Sequence, residues 1–218
     1  MTVSAAKRRG LIAAPGYNFI LAGVVLIFLG LIGHWPWITV LGLLASGFFA
    51  YFFRDPERPI PGGPEAIVSP ADGKVVFVDE VQENLFLKGA ARRVAIFMDV
   101  FDVHVNRSPV AGVVTEMQHR PGEYKAAFRQ DAAVRNEQQA VVLESETRQR
   151  VLVTQIAGLL ARRIIPFVKP GQYLARGERF GMICFGSRVD IYLPREADIQ
   201  VKVGDRVKAG SSIIGRWA

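Results

Sequence analysis

The stretch from Leu11 to Phe53 contains no Asp, Glu, Lys or Arg, and this uncharged run constrains the fold more than any other feature of the chain. A single helix of that length, at about 1.5 Å per residue, would be roughly twice as long as a hydrocarbon core is thick. The centre of the run reads HWPW, in which Pro36 interrupts a helix and the two tryptophans are typical of a membrane interface. The run therefore predicts a transmembrane hairpin of two helices over residues 16–53.

Basic residues flank the hairpin on both sides. Residues 7–9 read KRR before the first helix, and Arg54 and Arg58 follow the second. Because positive charge favours the cytoplasmic side, both ends of the hairpin and the rest of the chain are predicted to lie on the cytoplasmic side of a bacterial-type inner membrane. A cleaved signal peptide is the alternative. It is disfavoured because a second apolar segment follows directly and no small-residue cleavage pattern separates the two.

The remaining sequence predicts one further domain. The chain has 218 residues, half of them apolar, and a net charge of +7. Residues 1–15 are predicted to form a basic cytoplasmic N-terminus, residues 54–65 a proline-rich linker and residues 66–218 a single globular domain. No cluster of Lys and Arg interleaved with aromatic residues follows the hairpin, so nucleic acid is not a predicted partner. Anionic lipid is the simpler partner for a basic, anchored domain.

The pattern beyond the linker favours an α+β fold that is mostly β. Short segments rich in β-branched and aromatic residues are separated by Gly, Pro and polar turns, and one stretch, GLLARRIIPF from Gly158, predicts a helix. The segments VKPGQYLARGERFG from Val168 and VKVGDRVKAGSSII from Val201 form an internal repeat. They are similar to the hairpin of lipoyl and biotinyl carrier domains, in which the matched glycines begin and end turns.

Gly186-Ser187 interrupts two strand-like runs outside this repeat, whereas Gly210-Ser211 falls inside it and is explained as a turn. A serine hydroxyl can attack the carbonyl of the preceding residue and form an ester. Glycine leaves that carbonyl unhindered and permits a strained backbone. Elimination from the ester and hydrolysis would then leave a pyruvoyl group at the new N-terminus. Such a serine needs a base and a group that orients the base.

His104 is the favoured base, because it follows a strand-like run and precedes a proline-containing turn, whereas His119 is predicted to be exposed. Asp72, Asp99 and Asp102 compete for the role of orienting acid, and Asp72 lies in an Asp-Gly turn signal.

No set of His, Cys and carboxylate residues has metal-ligand spacing, so no metal is predicted. The single cysteine, Cys184, excludes an internal disulfide and is predicted to be an inert core thiol.

Five motifs in order along the chain resemble the phosphatidylserine decarboxylases, specifically their short class with an N-terminal membrane anchor. They are SPADGKV, DVHVNRSP, RPGEYKAAF, NEQ and GERFGMICFGSRVDIYLP, and together they cover essentially the whole domain. The resemblance implies that the Gly186-Ser187 bond cleaves itself and that Ser187 becomes the pyruvoyl cofactor, with residues 187–218 as a separate fragment. It also implies that Asp72 and His104 activate Ser187.

The same resemblance implies the reaction. The pyruvoyl group would form a Schiff base with phosphatidylserine, accept the electrons released with carbon dioxide and yield phosphatidylethanolamine. His104 would be well placed to return the proton. The longer members of the family have a second histidine where this chain has Arg107. The roles that those members divide between two histidines would therefore fall on His104 alone. Arg188 and Arg107 are candidate partners of the lipid phosphate or carboxylate.

Two other functions remain open at this stage, as does a homo-oligomer. A serine hydrolase would use Asp72, His104 and Ser187, although no GxSxG motif surrounds Ser187. A membrane-tethered carrier or adaptor would need a modifiable lysine at a hairpin tip, and Lys208 in VKAG is a poor match.

Overall fold

The computed structural model describes residues 10–128, 131–159, 163–184 and 186–217. It divides the chain into two compact units, Met1–Glu57 and Arg58–Ala218. The division falls inside the segment that was predicted to be the linker.

The first unit contains the predicted pair of helices, α1 (Gly16–Ile32) and α2 (Pro36–Phe52). Glycines bring the two helices close together, because a Cβ atom added at Gly30 would lie 2.5 Å from the backbone nitrogen of Thr39. In the part of the chain that the structure describes, no helix has both the length and the apolar character to cross a membrane. The transmembrane character that the sequence predicted for this hairpin is therefore not supported.

The second unit is mostly β, as predicted. Its short helix is α3 (Ala132–Arg135), and its strands are β1 (Ala66–Val68), β2 (Gly73–Glu83), β3 (Gly89–Met98), β4 (Val105–Arg107), β5 (Gly112–Arg120), β6 (Gln138–Ser145), β7 (Arg150–Ile156), β8 (Ile164–Pro166), β9 (Tyr173–Leu174), β10 (Arg179–Ile183), β11 (Ser187–Pro194), β12 (Asp198–Ile199), β13 (Arg206–Val207) and β14 (Ile213–Arg216). The largest sheet has the order β13-β2-β3-β11-β7-β6-β5-β9, and two three-stranded sheets have the orders β4-β10-β8 and β1-β14-β12.

The internal repeat supplies the two edges of the eight-stranded sheet. The two-residue strands β9 and β13 occupy equivalent positions of the repeat and pair with β5 and β2, respectively. All four matched glycines have positive φ angles, which favour glycine because they suit no ordinary side chain. The angles are 85° at Gly171, 76° at Gly177, 101° at Gly204 and 75° at Gly210. The predicted glycine turns are confirmed.

A second internal similarity appears only in the structure. The segments SPADG from Ser69 and SPVAG from Ser108 share one hydrogen bond. The Ser69 hydroxyl donates a hydrogen bond to the carbonyl two residues later at 2.6 Å, and the Ser108 hydroxyl does the same at 2.7 Å. Asp72 of the first segment corresponds to Ala111 of the second, so this serine hydrogen bond does not require a carboxylate.

The helix predicted from Gly158 to Phe167 is wrong where the structure describes it. Residues 164–166 form strand β8, which pairs with β10, and residues 160–162 lie outside the described residues. Two adjacent isoleucines favour an extended chain, and pairing with a neighbouring strand outweighs the weak helical pattern of so short a segment.

One end of the large sheet is defined by the start of β11. Ser187 pairs with Met98 at the end of β3, and Arg188 pairs with Ile156 at the end of β7. The antiparallel register then places the start of β6 and the end of β5 at the same end. The loops that follow β3, β5 and β7 therefore all leave the sheet here, at what we call the Ser187 end.

Candidate functional site

Gly186 adopts a left-handed backbone conformation, with a φ of 61°. A Cβ atom added there would meet no other atom within 4 Å, so the requirement for glycine comes from the backbone and not from crowding. The structure thus places a backbone that only glycine adopts easily directly before Ser187, as the sequence argument anticipated.

Ser187 begins β11 and is fully buried. Its hydroxyl donates a hydrogen bond to Met98 Sδ at 3.5 Å. A thioether sulfur is a weak hydrogen-bond acceptor, so it does little to make the hydroxyl oxygen a better nucleophile. Ser187 is therefore held in place by this contact but is not activated by it, and attack on a carbonyl would need a base.

His104 is fully buried just before β4. Its Nδ1 lies 3.0 Å from the backbone carbonyl oxygen of Asp102. A carbonyl can only accept, so Nδ1 carries the proton in this contact and Nε2 is the basic nitrogen of the neutral ring.

The Met98 side chain lies between Ser187 and the strand that follows His104. Asn106 donates from Nδ2 to Met98 Sδ at 3.6 Å, and its Oδ1 accepts a hydrogen bond from Gln155 at 2.7 Å. Residues two positions apart in an extended chain share a side, so His104 faces the side of β4 that carries Asn106. The same sulfur therefore contacts Ser187 and the strand that presents His104. The described contacts of Ser187 do not include a hydrogen bond with His104.

The Asp72 carboxylate is buried and held by two groups. Arg58 Nη2 lies 2.7 Å from its Oδ2, and the backbone nitrogen of Ala209 donates to its Oδ1 at 2.8 Å. Burial raises the pKa of Asp102, and the negative charge of Asp72 contributes to this increase. The carboxylate thus lies near the loop that orients His104, but its direct partner is Arg58. The role of Asp72 as the orienting acid stays a prediction.

The two arginines proposed as lipid ligands are both buried. Arg188 donates from Nε and Nη2 to the Asp190 carboxylate at 2.7 and 2.9 Å, and from Nη1 to the Ala127 carbonyl at 3.1 Å. Neighbouring residues of a strand point to opposite faces, so Arg188 lies on the face of β11 opposite to Ser187. These contacts give Arg188 a structural role, and its predicted role as a ligand of the substrate stays a prediction. Arg107 donates from Nη1 to the Gly177 carbonyl at 3.2 Å, and this geometry gives its predicted role no support.

Asn136 is a buried side chain whose role the sequence reasoning missed. Its Nδ2 donates to the carbonyls of Ala157 at 2.7 Å and Lys125 at 2.8 Å, and its Oδ1 accepts from the Lys125 backbone nitrogen at 3.1 Å. Asn136 therefore joins the loop after β5 to the loop after β7. The only signal in the sequence was its place in the NEQ motif of the family resemblance.

Gly158 follows Ala157 and passes directly over the candidate scissile bond. A Cβ atom added at Gly158 would lie 2.0 Å from the carbonyl oxygen of Gly186. No side chain fits between these two backbone segments. Asn136, by fixing the Ala157 carbonyl, holds this passage in place.

Cys184 lies close to the site in sequence but is buried, and burial raises the pKa of its thiol to about 11. An uncharged, buried thiol fits the prediction of an inert core cysteine. Within the described ranges, no three His, Cys, Asp or Glu side chains are grouped so that they could hold a metal ion.

Comparison with known proteins gives consistent results. The family model described as phosphatidylserine decarboxylase matches residues 45–215. A phosphatidylserine decarboxylase proenzyme of Symbiobacterium thermophilum is 49% identical over 96% of this chain and 97% of its own length. The proenzymes of Syntrophotalea carbinolica and Syntrophus aciditrophicus are 46% and 43% identical, over 94% and 97% of this chain and 95% and 100% of their own lengths.

Proposed function

Because this chain belongs to the phosphatidylserine decarboxylase family, we propose that it cleaves itself between Gly186 and Ser187 and then converts phosphatidylserine to phosphatidylethanolamine. The observation that carries the proposal is the left-handed Gly186 followed by the fully buried Ser187 at the start of β11. The serine hydrolase and carrier alternatives find no support in the comparisons.

The proposed cleavage starts with the Ser187 hydroxyl. Its oxygen attacks the Gly186 carbonyl carbon, its proton passes to His104 Nε2, and the peptide nitrogen leaves as an amine, which converts the amide to an ester. Loss of the Ser187 α-proton then expels the Gly186 carboxylate and leaves dehydroalanine at position 187. Tautomerisation and hydrolysis of dehydroalanine release ammonia and leave the pyruvoyl group. The products are residues 1–186 with a free carboxylate and residues 187–218 without a free amine.

The residues around the bond fit this step. The Asp102 carbonyl holds the His104 tautomer in which Nε2 accepts a proton. Gly158 lies against the Gly186 carbonyl, and Asn136 fixes that passage, so the reacting carbonyl has little freedom to rotate away. The pyruvoyl group supplies the electron sink for decarboxylation once it has formed. His104 is the group available at this site to return a proton to the product.

The C-terminal fragment would remain bound after cleavage. Strand β11 lies between β3 and β7 in the middle of the eight-stranded sheet, and β14 pairs with β1 and β12. Cleavage at the first residue of β11 leaves these backbone ladders intact. Residues 187–218 therefore become a partner of residues 1–186 rather than a released peptide.

The wild-type protein tests the proposal. Under denaturing conditions, mass spectrometry should show residues 1–186 and a C-terminal fragment that resists Edman sequencing, whereas both should elute together on native size exclusion. Purified protein should release carbon dioxide from carboxyl-labelled phosphatidylserine. An active preparation that contains only the intact 24.0 kDa chain would disprove the cofactor, and a cut at Gly210 would show that the other Gly-Ser pair reacts.

Gly158→Ala should slow self-cleavage. The new methyl group would displace the Gly186 carbonyl, and a misplacement of about 1 Å can cost about 10²-fold in rate. Cleavage should be followed by gel densitometry after synthesis in a cell-free system. Gly89→Ala is the matched control, because a Cβ atom there meets nothing within 4 Å. Equal cleavage rates in the two variants would contradict the proposed role of Gly158.

We also propose that the helical hairpin binds the bacterial inner membrane from the cytoplasmic side. The hairpin places glycines at the contact between its helices and exposes large apolar side chains, among them Leu21, Phe28, Trp37 and Leu44. Small residues between helices and large apolar residues outside are typical of helices packed in lipid. Flotation of the full chain with liposomes, and its loss on Trp37→Glu with Leu44→Glu, would support this location.

A further inference from the structure

Each of three loops at the Ser187 end of the sheet exposes at least one large apolar side chain. Phe101 follows β3, Phe128 lies between β5 and β6, and Leu159 follows β7, with exposed fractions of 63%, 58% and 64%. We propose that these three side chains, the apolar rim, insert into the surface of an anionic bilayer and dock the second unit with its Ser187 end toward the lipid. The inference rests on the proposed function, which requires a membrane lipid to reach Ser187.

The backbone fixes two members of the rim close to the scissile bond. Phe101 comes three residues after Met98, which pairs with Ser187. Leu159 comes directly after Gly158, whose added Cβ atom would lie 2.0 Å from the Gly186 carbonyl oxygen. The loops that carry these two side chains therefore begin next to the bond and not at a distant surface.

Phe128 is fixed by a different set of contacts. The carbonyl of the preceding residue, Ala127, accepts the hydrogen bond from Arg188 Nη1 at 3.1 Å. The Phe128 ring also packs edge-on against Phe97, with ring centroids 6.0 Å apart. Single exposed apolar residues are common on soluble proteins, but these three lie on three neighbouring loops around one reactive bond.

Charge favours an anionic bilayer as the occupant. Lys74 of β2 and Arg206 of β13 are cross-strand neighbours at the Ser187 end, and both are exposed. Arg163 is exposed in the loop after β7. Asp102 lies 3.3 Å from Arg206, and Asp99, Glu123 and Asp131 lie in the loops that carry Phe101 and Phe128. These carboxylates offset part of the positive charge, but the chain as a whole carries a net charge of +7. Aromatic and aliphatic side chains beside cations suit the headgroup region of an anionic leaflet. A headgroup at that depth would lie beside the loops that flank Ser187 without leaving the interface.

A fluorescent label tests the insertion without reference to catalysis. In a Cys184→Ala background, the single cysteine of Leu159→Cys is labelled with the environment-sensitive dye NBD. Leu85→Cys is the matched control, because Leu85 is 68% exposed in the turn between β2 and β3 at the other end of these strands. The label at position 159 should shift to the blue and brighten with vesicles of phosphatidylcholine and phosphatidylserine, and less so with phosphatidylcholine alone.

Three results of this experiment would overturn the proposal. They are the absence of a shift at position 159, an equal shift at position 85, and a shift without vesicles that grows with protein concentration. The last result would identify a second copy of the chain as the partner.

Kinetics provide the second test. Phe101→Ser combined with Phe128→Ser should lower the ratio of turnover on vesicles to turnover on monomeric dihexanoyl phosphatidylserine by about tenfold or more. Leu85→Ser should leave the ratio unchanged. An equal loss on both substrate forms would mean that the loops shape the site itself, and no loss would mean that the rim does not dock. If the wild-type protein were inactive on both substrate forms, the proposed function would be wrong. The fluorescent label would still show whether the apolar rim inserts into the bilayer.

Discussion

Ser187→Ala should remain a single chain of 24.0 kDa and show no decarboxylase activity. Alanine has no oxygen to attack the Gly186 carbonyl, so neither the ester nor the pyruvoyl group can form. The effect should be complete rather than partial, because position 187 then has no hydroxyl that could replace the lost nucleophile. Intact-mass spectrometry under denaturing conditions measures the first result, and release of labelled carbon dioxide measures the second.

The fold should tolerate this substitution. The lost contact between the Ser187 hydroxyl and the Met98 sulfur is a weak hydrogen bond, and its removal should cost no more than about 1 kcal/mol in the free energy of unfolding. Ser211→Ala is the matched control, since Ser211 follows the glycine turn at Gly210 and should affect neither cleavage nor activity. Cleavage of Ser187→Ala at the same bond would contradict the assignment of the nucleophile.

Local signals in the sequence were sufficient for the elements that depend on local chemistry. The uncharged run with a central Pro36 predicted two helices. The repeat predicted the turns at Gly171 and Gly204, because a positive φ angle favours glycine at that position of the sequence. Gly186-Ser187 was identified because it interrupts two strand-like runs outside the repeat. The segment at 164–166 failed because helix and strand preferences are nearly balanced over so few residues, and pairing with β10 decided the outcome.

The contacts that build the site join parts of the chain that are distant in sequence, and such contacts have no local sequence signal. Arg58 was interpreted as a charge flanking the hairpin, yet it binds the Asp72 carboxylate. Gly158 resembled part of a short helix, yet it lies on the Gly186 carbonyl. The placement of Arg188 could have been anticipated, because a strand sends neighbours to opposite faces and Arg188 follows Ser187 directly. What the sequence did not reveal is that both faces of β11 are buried at this point.

Loss of the base should have the second-largest effect. His104→Gln is expected to slow self-cleavage by about 10²–10⁴-fold, because general-base assistance typically contributes a factor of this size. Glutamine can keep the hydrogen bond to the Asp102 carbonyl but has no nitrogen that accepts the Ser187 proton. The rate should be measured as the fraction of cleaved chain over time after cell-free synthesis. The midpoint of thermal unfolding of the uncleaved chain shows whether the variant has folded.

Two further variants separate this role from a structural one. His119→Gln is the matched control, because the His119 side chain is half exposed and lies 3.8 Å from Glu137, so cleavage should proceed at the wild-type rate. Asp72→Asn should slow cleavage less than His104→Gln, since the Asp102 carbonyl still orients His104 when the bond between Asp72 and Arg58 is weakened. If a folded His104→Gln matured at the wild-type rate, the base would have to be another group. If Asp72→Asn were the slower of the two, the carboxylate would have to approach His104 directly during the reaction, in place of its contact with Arg58.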